Sequence, residues 1–195
     1  MNGAQSGDAW RVLVTGGSGL VGKAIEKHVN NLSASGSEGN HWYFASSKDA
    51  DLCNYEETKA LFEREKPTHV VHLAAKVGGL FANLDGNIQF LRDNLTMNDN
   101  VVKLCHENDV KNAIFCLSTC IFPAEVELPM TEDDIHKGSP HPSNQGYAHA
   151  KRILEVLVRL HRETYGHNWM CLIPTNVYGP YIFLSSCRWA QFICF

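Results

Sequence analysis

Short apolar runs rich in β-branched and aromatic residues alternate along the chain with longer stretches whose apolar positions recur every three or four residues. The short runs, about Arg11–Thr15, Trp42–Ala45, Thr68–Ala75, Asn112–Ser118 and Trp169–Pro174, read as strands. The helical patterns are about Leu20–Asn31, Glu56–Lys66, Asn87–Asn108 and Gly146–Tyr165. Strand and helix in alternation predict a parallel sheet of the α/β class. Residues 1–10 read as a disordered leader, and Ser33–Asn40, rich in Ser and Gly, as a surface loop. Residues 123–145 hold Pro123, Pro129, Pro140 and Pro142 and read as a long loop over the site, with His136 and His141 at its surface.

Inside the patterns, a few polar residues stand out. Phe90, Leu91, Leu95, Val101, Val102 and Leu104 keep near-helical spacing in the long helix, yet Asn94, Asn98 and Asn100 are poor helix formers. Asn98 is the one expected to point inward. His69 and His72 alternate on the third strand and are expected in the core or at the sheet edge rather than as ligands.

The first strand runs into Thr15-Gly-Gly-Ser-Gly-Leu-Val-Gly22, and a helix follows. Strand, glycine turn and helix form the context of a dinucleotide-binding loop. Gly17-x-Gly19-x-x-Gly22 and Gly16-x-x-Gly19-x-x-Gly22 both match its fingerprint, so the first two glycines stay unassigned. Residues 16–22 (Gly16, Gly17, Ser18, Gly19, Leu20, Val21 and Gly22) are the expected phosphate cradle. There a backbone without Cβ admits the pyrophosphate, and the helix N-terminus meets its charge. The predicted architecture is a doubly wound parallel sheet, the Rossmann arrangement.

The second strand should end at the adenosine ribose, where an NAD enzyme places Asp or Glu about 20 residues past the glycines. Here that place holds Ser46-Ser47-Lys48, two hydroxyls and an ammonium, which suit a 2′-phosphate. NADP(H) is therefore the favoured cofactor. Asp49 and Asp51 keep NAD open, and Asp51-Leu52 are expected near the adenine. Leu73, Ala74 and Ala75, small at the end of their strand, leave room for a cofactor across the sheet edge.

Composition narrows the classes. The 195 residues make one substantial domain, 44% hydrophobic and 19% charged, with net charge −4. No broad basic surface suggests nucleic acid or an anionic membrane, and no apolar run is long enough to span a bilayer. The 7 cysteines match no zinc or disulfide framework, so no metal is expected and the thiols suit a reducing cytoplasm.

Ser118 at a strand end, Tyr147, and Lys151 four residues on make a chemical set. Positions i and i+4 share a helix face. An ammonium near a phenol favours the phenolate. The phenol can then give its proton to a carbonyl oxygen while a nicotinamide delivers hydride to carbon, with Ser118 hydrogen-bonded to the same oxygen.

This combination resembles the extended short-chain dehydrogenase/reductases. Ser46-Ser-Lys-Asp-Ala-Asp-Leu52, Val77-Gly-Gly-Leu-Phe81, Leu117-Ser-Thr-Cys-Ile-Phe-Pro123 and Pro174-Thr-Asn-Val-Tyr-Gly-Pro180 narrow the likeness to the GDP-L-fucose synthase family, over about residues 11–180. The resemblance implies an NADPH-dependent epimerase-reductase acting on GDP-4-keto-6-deoxy-D-mannose. It inverts C3 and C5, then reduces the C4 ketone. It implies Ser118, Tyr147 and Lys151 as the reductive triad and Cys120 as the epimerisation acid or base. It places Pro174, Thr175, Asn176 and Val177 beside the nicotinamide. It also implies a GDP-sugar substrate and a homodimer.

Residues 181–195 carry no likeness to the family's continuation, and no histidine follows His167. They read as a divergent tail after a dinucleotide-binding domain of residues 11–180. The C-terminal substrate domain and the second epimerisation acid/base are expected to be missing. The alternative reading is a catalytically inactive dinucleotide-binding fragment that pairs with full-length subunits.

Overall fold

The structure, a computed structural model, describes residues 9–33, 39–78 and 80–180. Most of the expected leader, the middle of the Ser/Gly-rich loop, and the tail 181–195 lie outside the described residues. The elements in order are β1 (Arg11–Thr15), α1 (Leu20–Ser33), β2 (His41–Ala45), α2 (Tyr55–Glu65), β3 (His69–His72), α3 (Leu80–Glu107), β4 (Asn112–Cys116), α4 (Gln145–Tyr165) and β5 (Asn168–Leu172). Short 3-10 turns at Thr119–Ile121, Glu132–Asp134 and Pro142–Asn144 break up the proline-rich connection between β4 and α4.

All four strand pairings are parallel, in the order β2-β1-β3-β4-β5. β1 is central: Val14 pairs with Phe44 on one side and Val71 on the other. Its residues from Val12 to Thr15 are buried, as expected of a strand covered on both faces. Right-handed crossovers put α1 on one face and α2, α3 and α4 on the other, so the sheet is doubly wound. α3 packs along α4 and touches α2.

The helices have local causes. The Asn54 side chain caps α2 by accepting from the amides of Glu56 and Glu57. Lys66, expected inside that helix, instead closes it in the left-handed region at φ 45, because Pro67 cannot continue it. α3 starts at Leu80, before the expected Asn87, and bends at Gly86, whose φ −115 and ψ 17 are not helical. The bend masks the first turns from a periodicity reading.

β3 ends at His72 rather than at Ala75. There the chain leaves the sheet, and Asn94 of α3 grips it: the Lys76 amide donates to Asn94 Oδ1, and Asn94 Nδ2 donates to the Lys76 carbonyl, both at 2.9 Å. Asn94 and Asn100 of α3 point inward as well as Asn98. Asn94, Asn98 and Asn100 are 0%, 1% and 8% exposed. Asn100 holds the Leu52 carbonyl at 2.9 Å. Buried polar groups need partners, and Asn94 and Asn100 supply them to loops that no strand ladder satisfies.

Candidate functional site

The strand order reverses between β1 and β3, and at this switch point a cleft of about 780 Å³ opens at the carboxyl ends of the strands. Its floor and walls include Thr15, Gly16, Ser18 and Gly19 after β1, Ala45–Ser47 and Ala50–Cys53 after β2, and Leu73–Val77 after β3. Asp93 and Met97 come from α3, Cys116 and Leu117 from β4, and Tyr147 and Lys151 from α4.

The glycine turn resolves into distinct jobs. Gly16 takes φ 72, and a Cβ on it would come within 2.8 Å of the Ala74 nitrogen. Gly17 donates its amide to the Ala45 carbonyl at 2.7 Å, and a Cβ there would strike the Phe44 backbone. Gly22 lies under the turn, where a Cβ would sit 2.6 Å from the Gly16 oxygen. Around Gly19 the one neighbour of a Cβ is the Gly16 oxygen, at 3.2 Å. A Cβ is thus excluded at Gly16, Gly17 and Gly22 alike, so both spacings stay open, with Gly17 tying the turn to β2. α1 has no acidic residue in its first turn, so nothing there repels an anion.

After β2, Asp49 does not face the cleft wall. It accepts from the Tyr43 hydroxyl at 2.7 Å and from the Ser46 amide and hydroxyl. These bonds, the tyrosine's first, hold its carboxyl down at about 2. Ser46, Ser47, Asp51 and Leu52 line the cleft, while Lys48 is exposed beyond its wall.

Lys151 is the most informative side chain. It is 1% exposed, and its ammonium donates to the Cys116 carbonyl at the end of β4 at 2.7 Å. Nζ lies 5.9 Å from the centre of the Tyr147 ring, one helical turn away. Burial lowers its pKa to about 8, and the thiols of Cys116, Cys120 and Cys171 around it act the other way.

Beneath the cleft, His72 links β1, β3 and α3. Its Nδ1 is 2.7 Å from the Thr15 hydroxyl, and its Nε2 is 3.0 Å from Asn98 Oδ1. Burial, aided by the charge of Lys151, lowers its pKa to about 3, so it is a neutral core residue. His69, the other histidine of β3, is half-buried and stacked on Trp10. His136 and His141 sit at the surface, as expected.

Ser118 and Cys120 lie just past the cleft wall, at the turn that ends β4. The Ser118 hydroxyl caps this turn by accepting from the Cys120 amide at 3.4 Å, and Cys120 is buried. Pro174 is half-buried and Thr175–Val177 are exposed outside the wall; the segment returns near α1, where Gly179 approaches Leu20. Leu20, Val21 and Gly22 also stand outside the lining, as first-turn residues of α1. The sequence reading missed Lys76, Val77, Cys53, Asp93 and Met97 as cleft residues. The inward asparagines were the available signal, since Asn94 and Asn100 hold the loops that carry most of them. Among the described residues no cluster of His, Cys, Asp or Glu could hold a metal ion.

Comparison with known proteins places these features in a family. A family model described as the NAD dependent epimerase/dehydratase family matches residues 12–194. A probable GDP-L-fucose synthase of Drosophila melanogaster is 52% identical over 171 residues, 88% of this chain and 52% of that protein. The GDP-L-fucose synthase of Dictyostelium discoideum is 52% identical over 170 residues, again 52% of its length. The crystal structure of a GDP-L-fucose synthetase from Naegleria fowleri bound to NADP superposes with a TM-score of 0.80 at 43% identity, covering 91% of this chain and 53% of that one. The chain thus spans about half the length of the relatives it matches.

Proposed function

The chain belongs to the NAD dependent epimerase/dehydratase family, and we propose that it is the NADPH-binding, acid–base half of a GDP-L-fucose synthase-type epimerase-reductase. The observation that carries this reading is the buried Lys151 ammonium, set one helical turn from Tyr147 on the wall of the cleft that the glycine turn opens.

The residues suit the cofactor. Residues 16–22 would hold its pyrophosphate; Ser47 and Lys48 its 2′-phosphate; Asp51 and Leu52 its adenine. Leu73, Ala74 and Ala75 would lie under it, Lys151 at its nicotinamide ribose, and Pro174, Thr175, Asn176 and Val177 beside its ring. When bound, NADPH supplies the hydride that reduces the ketone carbon. The chain supplies the groups for the reduction and one of the two acid–base groups that inversion needs. Tyr147 gives a proton to the C4 oxygen, Ser118 hydrogen-bonds that oxygen, and Lys151 stabilises the phenolate left behind. Cys120 moves protons at C3 and C5, whose C–H bonds the neighbouring ketone acidifies. Ile153 and Leu160, exposed and seven residues apart on one face of α4, suit a homodimer contact. We assign the protein to the cytoplasm on its unpatterned cysteines; among the described residues no helix is long and apolar enough to cross a membrane.

The test is an NADPH titration followed by nicotinamide fluorescence, then NADPH consumption with GDP-4-keto-6-deoxymannose. Saturable binding followed by consumption supports the whole reading. Binding without consumption favours the inactive binding module. No binding overturns both.

A further inference from the structure

We propose that Arg152 is a positioning residue for Cys120, its guanidinium pinning the turn that carries the thiol and keeping a positive charge beside it. The proposal rests on the reading of Cys120 as an acid–base group.

Arg152 follows Lys151 on α4 but serves different atoms. It is 8% exposed, which is unusual for arginine without a carboxylate. Its Nε donates to the Ile121 carbonyl at 2.6 Å, and its Nη1 donates to the Gly138 carbonyl at 2.8 Å. Ile121 is the residue after Cys120 in the turn Thr119–Ile121, and Gly138 ends the loop that folds back over Pro123. One planar fork therefore ties the start of the excursion between β4 and α4 to Gly138, where the loop returns over Pro123. An ammonium, with all its donors on one nitrogen, lacks this planar two-nitrogen fork.

The third nitrogen, Nη2, is buried with no hydrogen-bond partner among the described residues. Such an orphan is costly unless its charge is used. Burial lowers the pKa of Arg152, and the Cys120 charge is the influence that raises it. By reciprocity, the guanidinium favours the thiolate of Cys120. The other titratable groups in this neighbourhood are Lys151 and His149 on α4, Cys116 on β4 and Cys171 on β5. Of these, Lys151 is also cationic: its ammonium donates to the Cys116 carbonyl and its charge also acts on Cys120, so Arg152 is one of two cations that favour the thiolate.

The experiment alkylates the full chain with iodoacetamide across pH, reading each cysteine separately by peptide mass spectrometry. In Arg152→Met the midpoint for Cys120 moves up by about one pH unit, while Cys53, across the cleft, is unmoved. A loosened turn alone would change the plateau rate and leave the midpoint in place. Arg152→Lys keeps the charge, so its midpoint stays close to that of the parent. It loses the fork, so the Ile121 and Phe122 amides exchange about tenfold faster. If Arg152→Met does not fold, the lysine variant still decides the matter. An unmoved midpoint in Arg152→Met, or unchanged amide exchange in Arg152→Lys, overturns the proposal. Failure of the parent chain to bind NADPH would sink the functional reading and leave this result standing.

Discussion

Gly146 lies directly against Asn87: its amide donates to the Asn87 side chain at 2.9 Å, and a Cβ on it would collide with the Asn87 backbone carbonyl. This contact joins the first turn of α4 to α3, one residue before Tyr147. It fixes the backbone beside Tyr147, which lines the cleft. Gly146→Ala must push the two helices apart, at a cost of about 1–3 kcal/mol. Urea denaturation should show that loss, and NADPH affinity should fall with it.

The glycine turn gives a sharper contrast. Gly22→Ala would set a methyl against the Gly16 and Gly17 backbone, whereas Gly19→Ala meets only the Gly16 oxygen, at 3.2 Å. The first variant should lose about 2 kcal/mol or fail to fold. The second should keep nearly all its stability and lose nucleotide affinity. Thermal unfolding beside a fluorescence titration distinguishes the two outcomes.

Lys151 makes stability rise in alkali. Its folded-state pKa is about 8, and an unfolded lysine holds its proton to about 10.4. Between those values the unfolded chain binds more protons, so the lysine's penalty on folding fades as pH rises. The thiols of Cys105 and Cys171, pushed up by burial, act oppositely, losing stability above the ordinary thiol range. The clean measure is Lys151→Met minus parent in urea. The variant's relative advantage near pH 7.5 should shrink by up to about 3 kcal/mol by pH 10.5.

His72 governs the acid side. Burial keeps it neutral down to about 3, against about 6.5 unfolded. Its contribution is complete above about 6.5 and is lost as pH falls toward 3. In His72→Gln the stability profile between pH 6 and 4 should be flatter by about 1.4 kcal/mol per unit. That window stays above the range in which Asp49 takes up its proton.

Cofactor choice tests the end of β2. Ser47 lines the cleft and Lys48 stands at its rim. Replacing Ser47 with Asp should shift the NADPH:NADH affinity ratio toward NADH by about tenfold or more, since a carboxylate repels a 2′-phosphate and accepts from a 2′-hydroxyl. Parallel fluorescence titrations with the two cofactors read this out.

Much of this was legible in the chain because strands and helices with one dry face write a period into the sequence. β1, the glycine turn and the Tyr147–Lys151 spacing needed nothing else. What stayed hidden depends on contacts far apart in sequence. Why neither Gly16 nor Gly17 can carry a side chain depends on the backbone at Ala74 and on a strand neighbour, Phe44. The inward turn of Asn94 and Asn100 answers loops that leave the sheet early, which no local pattern announces. Gly86 bends α3 without ending it, so its first turns looked like loop. Nothing in the helical pattern singles out Arg152, and only the carbonyls of Ile121 and Gly138 explain its burial.

β5 has a wet side and a dry side. Trp169 is held at 1% exposure under the rings of His161 and His167, while Met170 and Leu172 are 51% and 52% open on the opposite face. Polar replacements at 170 and 172 can therefore improve solubility at little energetic expense, whereas trimming Trp169 would hollow the protein. A single strand thus offers two independent dials, one for colloidal behaviour and one for cohesion.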